Sequence, residues 1–253
     1  MKWPLFRYVL MAAMRDKLLL SIVALVAVTV SLSNFFATSV VIEQVEFARV
    51  FTAYGFRLFG TAILVMFVVS HIRRGFDSRE IDFLLSRPIG RVSFVLSHAA
   101  AFSFIAVVLA FILGLVLVLQ ETANLHEGVW LWWLSLAVEF IIMANVAMFF
   151  SLVITSTTAS LAIVFCFYLL SRLMGEILGI LQNKADGAWS GFLARIMEFI
   201  SIFIPRLDLM GQTKWLVYGV PDTISLPFII AQCAVFLSLI VGAAVMDMHK
   251  RQF

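Results

Sequence analysis

The sequence predicts an all-α membrane protein with six transmembrane helices. Of its 253 residues, 63% are apolar and only 13% are charged, whereas a soluble domain carries about 25% charged residues. The apolar residues gather in six blocks of roughly 20 residues, each long enough to cross the hydrocarbon core of a bilayer. Because backbone polar groups cannot stay unpaired in lipid, each block is predicted to be a helix. This composition argues against soluble enzymes and nucleic-acid-binding proteins, despite a net charge of +3.

The second of the six blocks is the shortest. Extended back towards Phe51, it carries Arg57 at its outer end, where a long side chain can reach the headgroups. We therefore predict that Arg57 lies at a membrane surface. The predicted spans are residues 18–36, 57–72, 94–119, 129–154, 161–181 and 224–245.

Basic residues predict the orientation of the chain. They concentrate in residues 1–17, in the loop of residues 73–93 and in the C-terminal tail, which six spans place on one side of the membrane. The opposite side has fewer basic residues, and most of them lie in one long connection. By the positive-inside rule, both termini are predicted to be cytoplasmic.

Residues 1–17 carry apolar side chains at helical spacing, interrupted by basic residues. This pattern is typical of an interfacial helix lying on the inner leaflet. A basic tail that only sets the topology is the alternative. The apolar positions are Trp3, Leu5, Phe6, Leu10 and Met14.

The most informative motif lies in the loop of residues 73–93, which reads RRGFDSREIDFLLSRPIGRVS. Asp77 followed by Glu80 forms an acidic version of a capping box, which predicts the start of a short helix. Pro88 predicts its end. Between them the aliphatic residues share one face, and Phe83 points roughly the other way. Such a helix suits docking into a groove of a partner protein; a basic loop lying on the headgroups is the alternative.

The segment REIDFLLSRPIGR resembles the coupling segment of type-2 ABC transporter permeases, which has an acidic residue, a leucine pair, S-R-P and a final arginine. Two further stretches are similar to that family. SLVITSTTASLAIVFCFYLLS resembles its short Ser/Thr-rich inner turn, and FIPRLDLMGQTKWLVYG resembles its outer-side P-x-L-D-L stretch. The resemblance implies that eight residues contact an ATPase subunit: Gly75, Glu80, Phe83, Leu84, Leu85, Arg87, Pro88 and Arg91.

The family resemblance also implies a division of labour between chains. Residues 1–253 would form a single permease domain in a bacterial inner membrane, paired with a second permease chain, either identical or similar. Separate ATPase subunits would bind ATP and Mg²⁺ and move the loop. In agreement, the sequence contains no G-x-x-x-x-G-K-[ST] loop, the device that cradles ATP phosphates. We therefore expect no cofactor and no enzymatic activity in this chain.

Charged and polar residues also occur inside the predicted spans. Glu139 and Asn145 lie in the fourth span, and Arg172 and Glu176 lie in the fifth. Such residues usually face the bundle or a water-filled path, because a charge at the bilayer centre costs about 2.5 to 3.5 kcal/mol. They are predicted to line a transport path or gate. The alternative is an internal ion pair of Arg172 with Glu176 or with Glu139.

The connection of residues 182–222 is the longest between spans. Its apolar stretch is too short and too charged to cross a bilayer, which predicts an interfacial or re-entrant helix that ends at Pro205. The resemblance implies that short outer-side helices close the path here, with Pro205 and Asp208 in that closure. Shielding of a dimer interface is the alternative.

Three functions are compatible with the sequence. An exporter of lipid-like or amphipathic substrates agrees best with a path that has few charges; import is the alternative direction. A membrane anchor or assembly protein would recruit a cytoplasmic partner without moving a substrate. An ion-coupled secondary transporter would predict inverted repeats and broken helices, and the sequence has neither. Partners other than membrane lipids and protein chains are not expected, and the sequence contains no H-E-x-x-H or other metal-binding motif.

Overall fold

Six helices of the chain are long and apolar enough to cross a membrane. The computed structural model describes residues 3–40, 43–78, 90–120, 127–183, 195–196, 204–219 and 226–250. All regular secondary structure in these residues is helical. The prediction of an all-α, multi-pass membrane protein is therefore confirmed.

The helices are numbered here in chain order. Helices α2 to α6 and α8 supply the six candidate spans. A 3₁₀ turn over Leu207–Leu209 precedes α7. The helices are α1 (Trp3–Arg15), α2 (Leu18–Ala37), α3 (Gln44–Asp77), α4 (Arg91–Leu119), α5 (Glu127–Val153), α6 (Thr157–Asn183), α7 (Trp215–Tyr218) and α8 (Leu226–Lys250).

Helix α5 is the centre of the bundle. It packs against α3, α4, α6 and α8, and it is apolar on every face, which is typical of a helix surrounded by other helices. Its contact with α4 depends on Gly114, where a Cβ atom would lie 2.1 Å from Nε1 of Trp133. The same indole nitrogen donates a hydrogen bond to the carbonyl of Ala110 at 2.8 Å. The missing side chain at Gly114 therefore lets a tryptophan of α5 lie flat against α4.

Helix α3 differs most from its prediction. It has 34 residues, a length of about 50 Å, which exceeds the hydrocarbon thickness of about 30 Å. It begins at Gln44 rather than near Phe51 or Arg57. Arg57 is only 1% exposed, so its side chain packs inside the bundle and does not reach out to the headgroups; its depth in the membrane stays a prediction. Polar residues such as Thr52 and Thr61 are also fully buried, so the helix continues where the hydropathy pattern stops.

Helix α1 confirms the predicted N-terminal helix. It buries Leu5, Val9 and Ala12 and packs against α4 and the start of α2, whereas Arg7 and Met11 on its other side are exposed. This two-sided distribution is what an interfacial helix requires. Its location on a membrane surface remains a prediction.

Three contacts bring several helix ends to one face of the bundle. Arg74 of α3 forms an ion pair with Asp16 in the turn between α1 and α2. Arg73 donates a hydrogen bond to the carbonyl of Ile154, in the turn between α5 and α6, at 3.2 Å. Arg91 at the start of α4 donates to the carbonyl of His249 near the end of α8 at 3.3 Å. We call this the terminal face, because both described ends of the chain belong to it.

Several sequence predictions fall outside the described residues. The predicted coupling helix is one, with Glu80, Phe83, Leu84, Leu85, Arg87 and Pro88. Most of the predicted interfacial or re-entrant helix before Pro205 is another. The flanking residues Gly75 and Arg91 are described: Gly75 lies half-buried near the end of α3, and Arg91 begins α4.

Candidate functional site

Ionisable side chains from three helices meet inside the bundle. Arg57 comes from α3, Glu139 from the middle of α5, and Tyr168 and Arg172 from α6. Glu139 is completely buried and Tyr168 is 4% exposed. We call these four residues the buried charge cluster.

Glu139 is the common partner in this cluster. Its Oε2 lies 2.8 Å from Nε of Arg57 and 3.9 Å from Nη1 of Arg172. The contact with Arg57 is close enough for an ion pair, although its direction falls short of an aligned hydrogen bond. The hydroxyl of Tyr168 donates a hydrogen bond to Oε1 at 3.1 Å. One carboxylate therefore contacts all three other members.

Helical spacing positions these side chains. Tyr168 and Arg172 are four residues apart on α6 and so project from the same face. On α5, Trp132 precedes Glu139 by two turns and lies on the same side. The guanidinium carbon of Arg57 lies 5.6 Å from the ring centre of Trp132, within the range of a cation–π interaction.

A segment far along the chain covers the cluster. We call residues 204–219 the cap segment; it contains the 3₁₀ turn and α7. Nη1 of Arg172 donates hydrogen bonds to the carbonyl oxygens of Leu207 at 2.5 Å and Met210 at 3.1 Å. Nη1 of Arg57 donates to the carbonyl oxygen of Gly211. Each arginine thus bridges Glu139 and the backbone of the cap segment.

Gly211 explains how the backbone approaches Arg57 so closely. Its φ angle is +55°, a left-handed conformation, and a Cβ atom there would lie 1.5 Å from Nη2 of Arg57. An alanine would therefore meet both backbone strain and an overlap with the guanidinium group. The turn before it starts at Pro205, whose carbonyl accepts a hydrogen bond from the N–H of Leu207 at 2.9 Å.

At two other positions, a glycine lets the cap segment pack closely against a helix. A Cβ atom at Gly175 of α6 would lie 2.3 Å from Oδ2 of Asp208. A Cβ atom at Gly128 of α5 would lie 2.1 Å from the carbonyl oxygen of Trp215. Asp208 also forms an ion pair with Arg206 at 2.9 Å. The cap segment therefore contacts α3, α5 and α6, the helices that supply the buried charge cluster.

The cluster has an excess of positive charge. Two arginines face one carboxylate, and burying an uncompensated charge is strongly unfavourable. The carbonyl dipoles of Leu207, Met210 and Gly211 and the face of Trp132 offset this excess, since hydrogen bonds from a charged donor are stronger than neutral ones. The cap segment therefore stabilises the arginines, and the arginines hold the cap segment in place.

The predicted path residues divide into two groups. Two of the predicted path residues, Glu139 and Arg172, belong to the buried charge cluster, and the other two, Asn145 and Glu176, do not. Pro205 and Asp208, which are predicted to close the path, lie in the cap segment that covers the cluster. Among the described side chains Arg172 forms its ion pair with Glu139, whereas Glu176 is exposed.

Asn145 occupies a separate place between α4 and α5. Its Nδ2 donates hydrogen bonds to Oγ of Ser103 at 2.9 Å and to the carbonyl of Ile141 at 2.8 Å. It is buried and takes no part in the charge cluster. A polar contact between two packed helices accounts for its position.

Comparison with models of known protein families and with curated protein sequences finds no match for this chain. Its function therefore has to be inferred from its own contacts and motifs.

Proposed function

We propose that the chain is the membrane-spanning permease subunit of an ABC exporter, driven by ATP hydrolysis on a separate ATPase subunit. The terminal face would be cytoplasmic and the cap segment would lie on the outer side of a bacterial inner membrane. The observation that carries the proposal is the continuity of α3. This single helix joins the buried charge cluster to the start of the loop whose sequence resembles a coupling segment.

An unbroken helix can transmit a displacement along its axis. From Arg57 to Asp77, α3 runs for about 30 Å without a proline in its sequence. A force applied to the loop after Asp77 would therefore move Arg57 relative to its partners.

The terminal end of α3 is also attached to the other two helices of the cluster. Arg73 donates hydrogen bonds to the carbonyls of Ser151 at 3.5 Å and Ile154 at 3.2 Å, which belong to the end of α5 and to the turn before α6. Movement of the loop would thus displace α3 directly and reach the ends of α5 and α6 through the hydrogen bonds of Arg73. This attachment supports the assignment of the loop as an input site.

At the opposite end, the cap segment has the properties of a closure. It covers the buried cluster and is held by hydrogen bonds from Arg57 and Arg172 to backbone carbonyls and by apolar side chains such as Leu207 and Trp215 that are buried in the core. Such bonds can exchange with water when the helices separate, without breaking any covalent or metal bond. Substrate would leave near Pro205 and Asp208.

The composition of the bundle favours a lipid-like or amphipathic substrate. Apart from the cluster, the described interior is packed mainly with aliphatic and aromatic side chains, so a path that opened between these helices would accept acyl chains better than hydrophilic solutes. Peripheral helices α2 and α8 expose apolar residues such as Val23 and Leu239. These surfaces suit lipid or a second permease chain.

The double substitution Arg87→Glu and Arg91→Glu tests the coupling role. We expect normal membrane insertion but loss of ATP-dependent transport, with ATP hydrolysis no longer linked to substrate movement. Because Arg91 contacts the carbonyl of His249, the variant Arg91→Gln reports any purely structural effect. A double variant that copurifies with its ATPase and transports normally would refute the assignment.

Reconstitution into liposomes separates the proposal from its rivals. An exporter requires an added ATPase and ATP. An ion-coupled carrier, for which the buried carboxylate of Glu139 is the one favourable observation, requires an ion gradient instead. An anchoring protein moves no substrate under either condition.

A further inference from the structure

A groove of about 220 Å³ lies where α1, the start of α2 and the middle of α4 meet. All of its lining residues are apolar. They include Leu10 and Met14 of α1, Leu18 and Ile22 of α2, and Val108 and Ile112 of α4.

The groove opens away from the bundle. Met14 is 70% exposed, and Val108 is 39% exposed, so side chains of the described bundle do not close it. In a membrane protein, an apolar depression of this kind beside a two-sided helix is bounded by lipid rather than by water. The groove runs from the turn between α1 and α2 along α4. Its α4 wall extends from Phe104 to Ile112, a distance of about 12 Å.

Two cations are next to lining residues of the groove in the sequence. Arg15 and Lys17 are exposed and directly follow and precede the lining residues Met14 and Leu18. The acidic residue between them, Asp16, is occupied by its ion pair with Arg74 of α3. Among the described residues, neither Arg15 nor Lys17 has a carboxylate within ion-pair distance.

We propose that the groove binds an acyl chain of an anionic phospholipid whose phosphate contacts Arg15 and Lys17. The apolar lining accounts for the chain, and the uncompensated positive charge at one end accounts for the headgroup. Because the lining comes from α1, α2 and α4, a bound lipid would fasten the N-terminal helix to the bundle. The proposal requires only that the chain lies in a membrane, and it is independent of the proposed transport function.

Photo-crosslinking of the full chain in vesicles tests this site. The probe is phosphatidylglycerol with a diazirine on one acyl chain, present as a minor component of phosphatidylcholine vesicles. Labelled peptides are quantified by mass spectrometry, and labelling of the exposed face of α8 around Leu239 serves as the reference for lipid that merely surrounds the protein. A phosphatidylcholine probe with the same acyl chain measures the contribution of the headgroup.

Two neighbouring valines provide a matched pair of variants. Val108 lines the groove, whereas Val107 is similarly exposed on the same helix and is not part of the lining. Val108→Trp fills the groove and should reduce labelling of the α1 and α4 peptides severalfold relative to α8. Val107→Trp should leave this ratio unchanged.

The charge requirement is tested separately. In the wild type, the phosphatidylglycerol probe should label the groove peptides roughly tenfold more than the phosphatidylcholine probe, and Arg15→Gln with Lys17→Gln should abolish that preference. Equal labelling by the two probes in the wild type, or insensitivity to Val108→Trp, would overturn the proposal.

Discussion

Glu139 is the residue on which the buried charge cluster depends, because among the described side chains it is the one carboxylate that contacts Arg57, Tyr168 and Arg172. Glu139→Gln would leave the buried Arg57 and the half-buried Arg172 without a counter-charge. Breaking a buried ion pair from one side destabilises a protein by about 3 to 5 kcal/mol. We expect a loss of that size in the free energy of unfolding, measured by denaturant titration in detergent micelles.

Glu176→Gln is the matched control for this substitution. Glu176 lies one turn beyond Arg172 but is exposed, so its replacement should change the unfolding free energy by less than about 0.5 kcal/mol. Equal effects of the two substitutions would show that Glu139 does not hold the cluster together.

Gly211 provides a second test at the scale of single residues. Gly211 has a φ angle of +55°, and Gly219 has a φ angle of +80° with an extended ψ angle, so alanine carries a backbone penalty of about 1 to 2 kcal/mol at Gly211 and of about 1 to 3 kcal/mol at Gly219. Only at Gly211 would the new Cβ atom also overlap the guanidinium group of Arg57; no described atom lies within 4 Å of that position at Gly219. Gly211→Ala should therefore lower the unfolding free energy clearly more than Gly219→Ala. A loss in Gly211→Ala no larger than its backbone penalty alone would mean that the overlap with Arg57 contributes nothing.

The sequence predicts some members of the cluster and not others, for physical reasons. Glu139 and Arg172 are recognisable because a charge within an apolar block has few explanations other than a buried partner. Arg57 lies at the edge of its block, where hydropathy cannot distinguish a surface arginine from a buried one. Tyr168 is unremarkable in an apolar span, although its position four residues before Arg172 is a usable signal. The backbone carbonyl groups of the cap segment that accept hydrogen bonds from the arginines cannot be recognised in the sequence, because every residue type carries such a group.

At the scale of elements, the contact between the cap segment and α6 can be disturbed without substituting a charged residue. Gly175→Val would push against Asp208, whereas Gly179→Val, one turn later on the same helix, meets no described atom within 4 Å. The overpacking caused by Gly175→Val should destabilise the closed position of the cap segment by about 1 to 3 kcal/mol and so shift the cap segment towards an open state. Both variants carry the same loss of helix propensity, so the difference between their effects reports the contact of residue 175 with Asp208.

The accessibility of residue 213 measures this opening. Thr213 is 4% exposed, and Thr213→Cys in a chain with Cys166→Ser and Cys233→Ser gives a single reporter thiol. Its reaction with a polar maleimide in micelles should be roughly tenfold faster with Gly175→Val than with Gly179→Val. Identical rates would contradict the seating of the cap segment on α6.

The helices themselves were predictable where apolar residues run without interruption. The observed bounds of α2, α4 and α5 lie within a few residues of the predicted spans, because lipid leaves a helix as the sole solution for such segments. The start of α3 was not predictable, since its buried threonines and arginine interrupt the hydropathy pattern while facing other helices. The fold of the cap segment was not predictable either, because its contacts are with arginines up to about 150 residues away in the chain.

At the scale of the whole molecule, one continuous helix connects two distant features. The terminal end of α3 leads into the loop with the coupling-like motif, and its middle carries Arg57 into the cluster beneath the cap segment. If the exporter proposal is correct, the loop is the input and the cap segment is the output. The proposed function therefore requires that an ATPase subunit binds that loop.

Site-specific photo-crosslinking from the loop in the native membrane measures this directly. A benzoylphenylalanine replaces Leu84 in one chain and, as a control, Leu119, which lies at the end of α4 away from the terminal face. We predict that the Leu84 probe, and not the Leu119 probe, forms an adduct with a subunit whose sequence contains G-x-x-x-x-G-K-[ST], and that Arg87→Glu reduces its yield. Adducts with lipid alone, or with a protein that lacks such a nucleotide-binding loop, would contradict the proposed function.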